Sequence, residues 1–153
     1  MKARGRRGFT MIELMVVVAI IAIAAGIVSL ALRDPASTRL EREAERLAAL
    51  LDSARAEART LGLPVTWQPL PPGSSPQGEQ FRFNGLPASD PMPTRWMNDD
   101  ITAEIVGAPV VRLGPEATIG PQRIVLHLGD QQVVLGTDGL APFTLVDPNA
   151  PAS

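Results

Sequence analysis

Between Arg7 and Arg33 the chain carries a single ionisable residue, Glu13. It stands at the head of 19 uncharged residues, Leu14 to Leu32, of which only Gly26 and Ser29 are not plainly apolar. A carboxylate in that position has two kinds of work open to it. It can complement the positive end of a helix dipole, worth about 0.3–1 kcal/mol. It can also pair with a cation supplied by another group, because an unpaired charge costs about 2.5–3.5 kcal/mol at the centre of a bilayer and less toward its ends. Elsewhere the residue types give little chemistry. His127 is the only histidine and has neither a second histidine nor a Ser or Cys partner in a suggestive pattern, so zinc and triad chemistry lack a basis. Asp99-Asp100, following Asn98, and Asp138-Gly139 read as turns, since the oxygen-ligand spacing of a calcium loop is missing around them. The absence of cysteine removes disulfides, thiolate metal sites and thiol nucleophiles. No catalytic residue, metal ligand or cofactor is expected, and the chain is not expected to be an enzyme.

The element that positions Glu13 is the uncharged run itself. As a helix rising 1.5 Å per residue it is about 28 Å long, close to the hydrocarbon thickness of a bilayer. Lys2, Arg4, Arg6 and Arg7 precede it, whereas Arg33 and Asp34 cancel just beyond it, so the positive-inside bias holds the N-terminus in the cytoplasm and exports the rest. A secretory signal cut after Ala22-Ile23-Ala24 would leave eight apolar residues past the cleavage point, and Arg6-Arg7 only superficially matches a twin-arginine signal. Neither accounts for Glu13.

Gly8-Phe9-Thr10-Met11-Ile12-Glu13-Leu14, followed by the apolar run, resembles the class III signal of type IV pilins and pseudopilins. The resemblance implies that a prepilin peptidase cuts after Gly8 and methylates Phe9, leaving the helix in place. It also implies that Glu13, fifth in the mature chain, pairs with the N-terminal amine of a neighbouring subunit during assembly. The domain plan expected is then a leader at 1–8, a transmembrane helix at 9–32, a periplasmic part of the helix at 33–62, a β-rich periplasmic domain at 63–147 with a Pro-rich loop at 69–93, and a flexible tail at 148–153.

Beyond the membrane segment, Pro35 is expected to break or kink the helix. Thr38 and Glu41 have the spacing of a capping box, and Leu40, Ala44, Leu47, Leu51, Ala54, Ala58 and Leu61 form one apolar stripe. Arg39, Arg42, Asp52, Arg55 and Arg59 fall among the residues assigned to other faces, Gly62 suits a C-terminal cap, and Pro64 ends the helix. Short strands are expected at Val65–Gln68, Gln80–Asn84, Ile101–Val106, Val110–Leu113, Arg123–Leu128, Gln132–Leu135 and Phe143–Val146, with a hairpin at Gly129-Asp130. Eight prolines within the 30 residues from Pro64 to Pro93 mark irregular backbone. Trp67 and Trp96 read as core or loop anchors. The fold class is α+β: a long N-terminal helix, its first half in the membrane and with a break near Pro35, packed on a small, mainly antiparallel β-domain of pilin type.

Without the basic leader the chain has ten basic residues against sixteen acidic, a net of −6, and only six Phe and Trp. Nucleic-acid binding through phosphate contacts and base stacking is therefore not expected. The helix, the Trp67 strand, the Phe81-Arg82-Phe83 strand and the segment Thr137 to Phe143 together are similar to the minor pseudopilins H of type II secretion systems. That resemblance implies a structural subunit in the inner membrane and pseudopilus. Its partners would be other minor and major pseudopilins, the prepilin peptidase, the inner-membrane secretion platform and, before assembly, the lipid bilayer. A minor pilin of a type IV or DNA-uptake pilus is the alternative, and a membrane-anchored periplasmic binding domain or enzyme a more distant one.

Overall fold

The computed structural model describes residues 10–31, 35–89 and 91–147, with the side chains of the first helix described as far as Ala24. The leader, Gly8, Phe9 and the tail at 148–153 lie outside the described residues. The chain divides into two compact units, Met1–Asp34 and Pro35–Ser153.

The first unit contains α1, Met11–Ala31. From Met11 to Ala24 every side chain is exposed, including Met11 at 80% and Ile12 at 73%. Among the described residues no helix is long and apolar enough to cross a membrane.

The second unit begins with α2, Pro35–Leu61. As expected, the helical pattern divides near Pro35: α1 and α2 are separate helices, and Pro35 is the first residue of α2, where its missing N–H costs nothing and its fixed φ suits the first turn. Thr38 and Glu41 accordingly lie inside α2 and cannot form its capping box. At the other end Gly62, at φ +66°, caps the helix, and the Leu63 N–H donates to the Ala58 carbonyl at 3.1 Å.

Seven strands follow: β1 Thr66–Pro69, β2 Phe81–Asn84, β3 Thr102–Ile105, β4 Val111–Arg112, β5 Gln122–Leu128, β6 Gln131–Thr137 and β7 Thr144–Val146. Each overlaps an expected strand. They form two antiparallel sheets, β2-β1-β4 and β3-β5-β6-β7, the β5–β6 hairpin turning at Gly129-Asp130. The Pro-rich stretch at 69–93 is irregular except where β2 pairs with β1.

α2 packs against β5, β6 and β7. Its stripe from Leu40 to Ala58 is buried as expected, while Leu61 is 47% exposed at the helix end. Along β5 the inward Ile124, Leu126 and Leu128 are buried and Val125 and His127 are half-buried, the alternation of a sheet with one covered face. Trp67, Phe81 and Trp96 form an aromatic cluster, with Phe81 and Trp96 ring centroids 4.5 Å apart. These rings join the α2 stripe and the inner faces of both sheets into one core.

Two charged residues enter that core, and the sequence reading had placed one of them, Arg55, on an outer face. Arg55 is only 4% exposed. Its Nη1–H donates to the Ala141 carbonyl at 3.0 Å and its Nη2–H to the Gly139 carbonyl, so α2 holds the loop between β6 and β7. Asp52 accepts the Phe143 N–H at 3.3 Å from the same helix. Gly139 is required there: at φ +94° a Cβ would lie 1.4 Å from the Ile119 carbonyl oxygen. Glu43, 2% exposed, plays the matching part nearer the start of α2, accepting from Arg46 at 2.5 Å and from the Met97 N–H at 3.0 Å beside Trp96.

Asp52 and Asp138 respond to acid in opposite senses. Burial raises the Asp52 pKa, partly offset by the Phe143 amide and Arg55, so ionised Asp52 costs stability that is recovered as pH falls through its folded value. The Ala141 and Leu140 amides lower the Asp138 pKa, so its contribution is present above the usual carboxylate value and lost on acidification.

A fragment from Pro35 onward should fold alone, giving a dispersed amide spectrum and a single urea transition. Leu51→Ala should lower its stability by about 2–5 kcal/mol through lost burial and a residual cavity. Arg55→Met should cost about 1.5–3 kcal/mol, because two loop carbonyls lose a charged donor. A fragment without a cooperative transition would contradict the single core.

Candidate functional site

The candidate site is the start of α1. Thr10 precedes the helix, and its Oγ1 accepts the Glu13 N–H at 3.3 Å while its carbonyl accepts the Leu14 N–H at 3.2 Å. Thr10 is therefore the N-cap, and Glu13 occupies the third helical position. Thr10-Met11-Ile12-Glu13 has the T-x-x-E spacing that the sequence reading assigned to Thr38 and Glu41. Of these two spacings, the one at Thr10 opens a helix.

The Glu13 backbone is thus satisfied within the turn. Its carboxylate has no partner among the described residues and lies in the first turn, where the helix dipole favours negative charge. Around it Met11, Ile12, Leu14 and Met15 are all exposed. An exposed carboxylate on an otherwise uncharged apolar helix offers one interaction chemistry, attraction of a cation, and one packing chemistry, burial of its neighbours by another apolar surface.

The other residues considered for chemistry sit elsewhere and are not brought together. His127 is in β5, between Thr102 of β3 and Gln132 of β6. Asn98 Oδ1 accepts the Asp100 N–H at 3.1 Å, and Asp138 Oδ1 accepts the Leu140 and Ala141 N–H groups at 2.8 and 2.7 Å, so both acidic segments are turns. Trp67 and Trp96 are core residues. Among the described residues no group of His, Cys, Asp or Glu is arranged to hold a metal ion.

Comparison with known proteins bears on the same end of the chain and on its whole length. Residues 3–29 match the prokaryotic N-terminal methylation motif. The match covers the capped helix start and Glu13 and supports a prepilin-type N-terminus. Along its length the chain is similar to the type II secretion system protein H of Escherichia coli (strain K12), with 29% identity over 154 aligned positions, covering 95% of this chain and 82% of that relative. Both similarities support a pseudopilin H-like chain of the type IV pilin kind. No solved structure matches it.

Glu13→Gln separates the two contributions of this residue. The Thr10 cap uses the Glu13 amide and should survive, so α1 helicity in detergent should be unchanged. Cross-linking of the full chain to other pilin-like subunits in membranes should fall about tenfold, equivalent to about 1.4 kcal/mol. Unchanged cross-linking would assign the carboxylate to the helix dipole alone.

Proposed function

We propose that this chain is a minor pseudopilin of a type II secretion system, a structural subunit of the periplasmic filament that supports export of folded proteins across the outer membrane. The observation that carries the reading is the coincidence, in one chain, of the methylation motif at residues 3–29 and similarity to a type II secretion protein H over 95% of the sequence.

On this reading the prepilin peptidase removes Met1 to Gly8 and methylates Phe9. The segment from Phe9 to Leu32 first anchors the chain in the inner membrane, with its N-terminus cytoplasmic and the domain from about Arg33 onward in the periplasm. It then leaves lipid for the helical core of the filament. That exchange is physically feasible because one apolar surface replaces another, so little hydrophobic free energy is lost, and packing decides the outcome. Glu13 supplies direction. Its carboxylate attracts the terminal amine of a neighbour, and the attraction is stronger among apolar helices than in water. That charge pair favours one register along the filament, since the rest of α1 is uncharged.

The role is one of assembly, without a reaction to catalyse. Major and other minor pseudopilins and the inner-membrane secretion platform are the partners, and the β-domain offers them a side surface. Deleting the gene should trap exoproteins in the periplasm while pilus-dependent motility persists, and the subunit should be far scarcer than the major one by quantitative mass spectrometry. Intact secretion with lost twitching would move the chain to the minor pilins of type IV pili.

A further inference from the structure

A cleft of about 690 Å³ opens between the early turns of α2 and the Met97–Ile101 loop. Arg39 and Arg42 line the helix side, one turn apart on a shared face, and Met97, Asp99 and Asp100 line the loop side, with Glu43 between them. The charges are not evenly committed. Glu43 is taken up by Arg46 and by the Met97 N–H. Asp99 faces Gln80 at 3.4 Å and Arg95 at 3.8 Å. Arg39 and Arg42, both exposed, have no partner among the described residues. Asp100 is then the lining carboxylate without a side-chain partner among the described residues, against two guanidinium groups without one. Beside it Met97 is 77% exposed, a flexible apolar side chain that adapts to whatever packs on it.

We propose that this cleft receives an acidic segment of a neighbouring pilin-like subunit, with carboxylates against Arg39 and Arg42 and an apolar side chain against Met97. Charge complementarity selects the occupant. Two guanidinium forks on one helix face are suited to bidentate carboxylate recognition. The inference rests on the assembly reading and names the contact made by the periplasmic domain.

The test uses the full chain in cells that make its companion subunits, with a photo-crosslinking amino acid at Met97 and, in a separate variant, at Ile20 of α1. The Ile20 position reports filament association through the helix, and the Met97 position reports the cleft. Illumination should join Met97 to a different pilin-like subunit, at a peptide containing Asp or Glu close to the cross-linked residue. Arg39→Glu with Arg42→Glu should cut that adduct about tenfold and leave the Ile20 adduct largely in place, whereas Arg39→Lys with Arg42→Lys should retain much of it. If the reversed pair fails to fold, Arg39→Gln with Arg42→Gln repeats the comparison. An Ile20 adduct without a Met97 adduct overturns the cleft and leaves the assembly reading intact. So does a Met97 adduct indifferent to charge reversal, or one formed with a second copy of this chain. Loss of both adducts in the otherwise unchanged chain overturns both.

Discussion

The controlling constraint is the apolar surface of α1. Every described side chain from Met11 to Ala24 is exposed, and Glu13 is the only charge among them. At about 25 cal/mol per Å², leaving such a surface in water is costly, so another body must cover it. Lipid can do so, and so can similar helices. The proposed function is this constraint followed through two environments, with Glu13 as the feature that distinguishes a neighbouring subunit from lipid. A carboxylate is poorly accommodated by hydrocarbon and well accommodated by an ammonium group beside it.

The second unit is built on a different principle. α2 gives one face to the core, and its two buried charged residues tie down backbone far away in sequence: Arg55 holds carbonyls 84 and 86 residues on, and Glu43 holds an amide 54 residues on. Buried charges are weak contributors to net stability, but removing one partner leaves uncompensated groups, so they favour a single loop conformation over many. A domain that works by presenting surface to other subunits needs such fixed loops. The Met97 loop, anchored through Glu43, borders the cleft whose arginines, unpaired among the described residues, suggest a neighbour.

Much of this was legible in the sequence, and the rest was hidden for identifiable reasons. Seven apolar runs between Pro, Gly and Asp breakers matched seven strands, because turn chemistry and period-two alternation are local. The division near Pro35 was legible because proline cannot continue a helix yet suits its first turn. The T-x-x-E spacing occurs twice, at Thr10 and at Thr38, and only the first lies at a helix start. Arg55 looked like a solvent-facing charge because its partners, Gly139 and Ala141, come together only in the folded domain. The division into two sheets was equally invisible, since β1 pairs with β4 across a long sequence separation. Gly8 and Phe9, outside the described residues, rest on the sequence signal and on the methylation motif that spans them.

The most direct measurement of the central claim is the intact mass of the full chain extracted from membranes of cells with an active prepilin peptidase. A mass corresponding to a start at Phe9 with one added methyl group, found in the membrane fraction, is the predicted result. A chain beginning at Ala25, or one still carrying Met1 to Gly8, would contradict it.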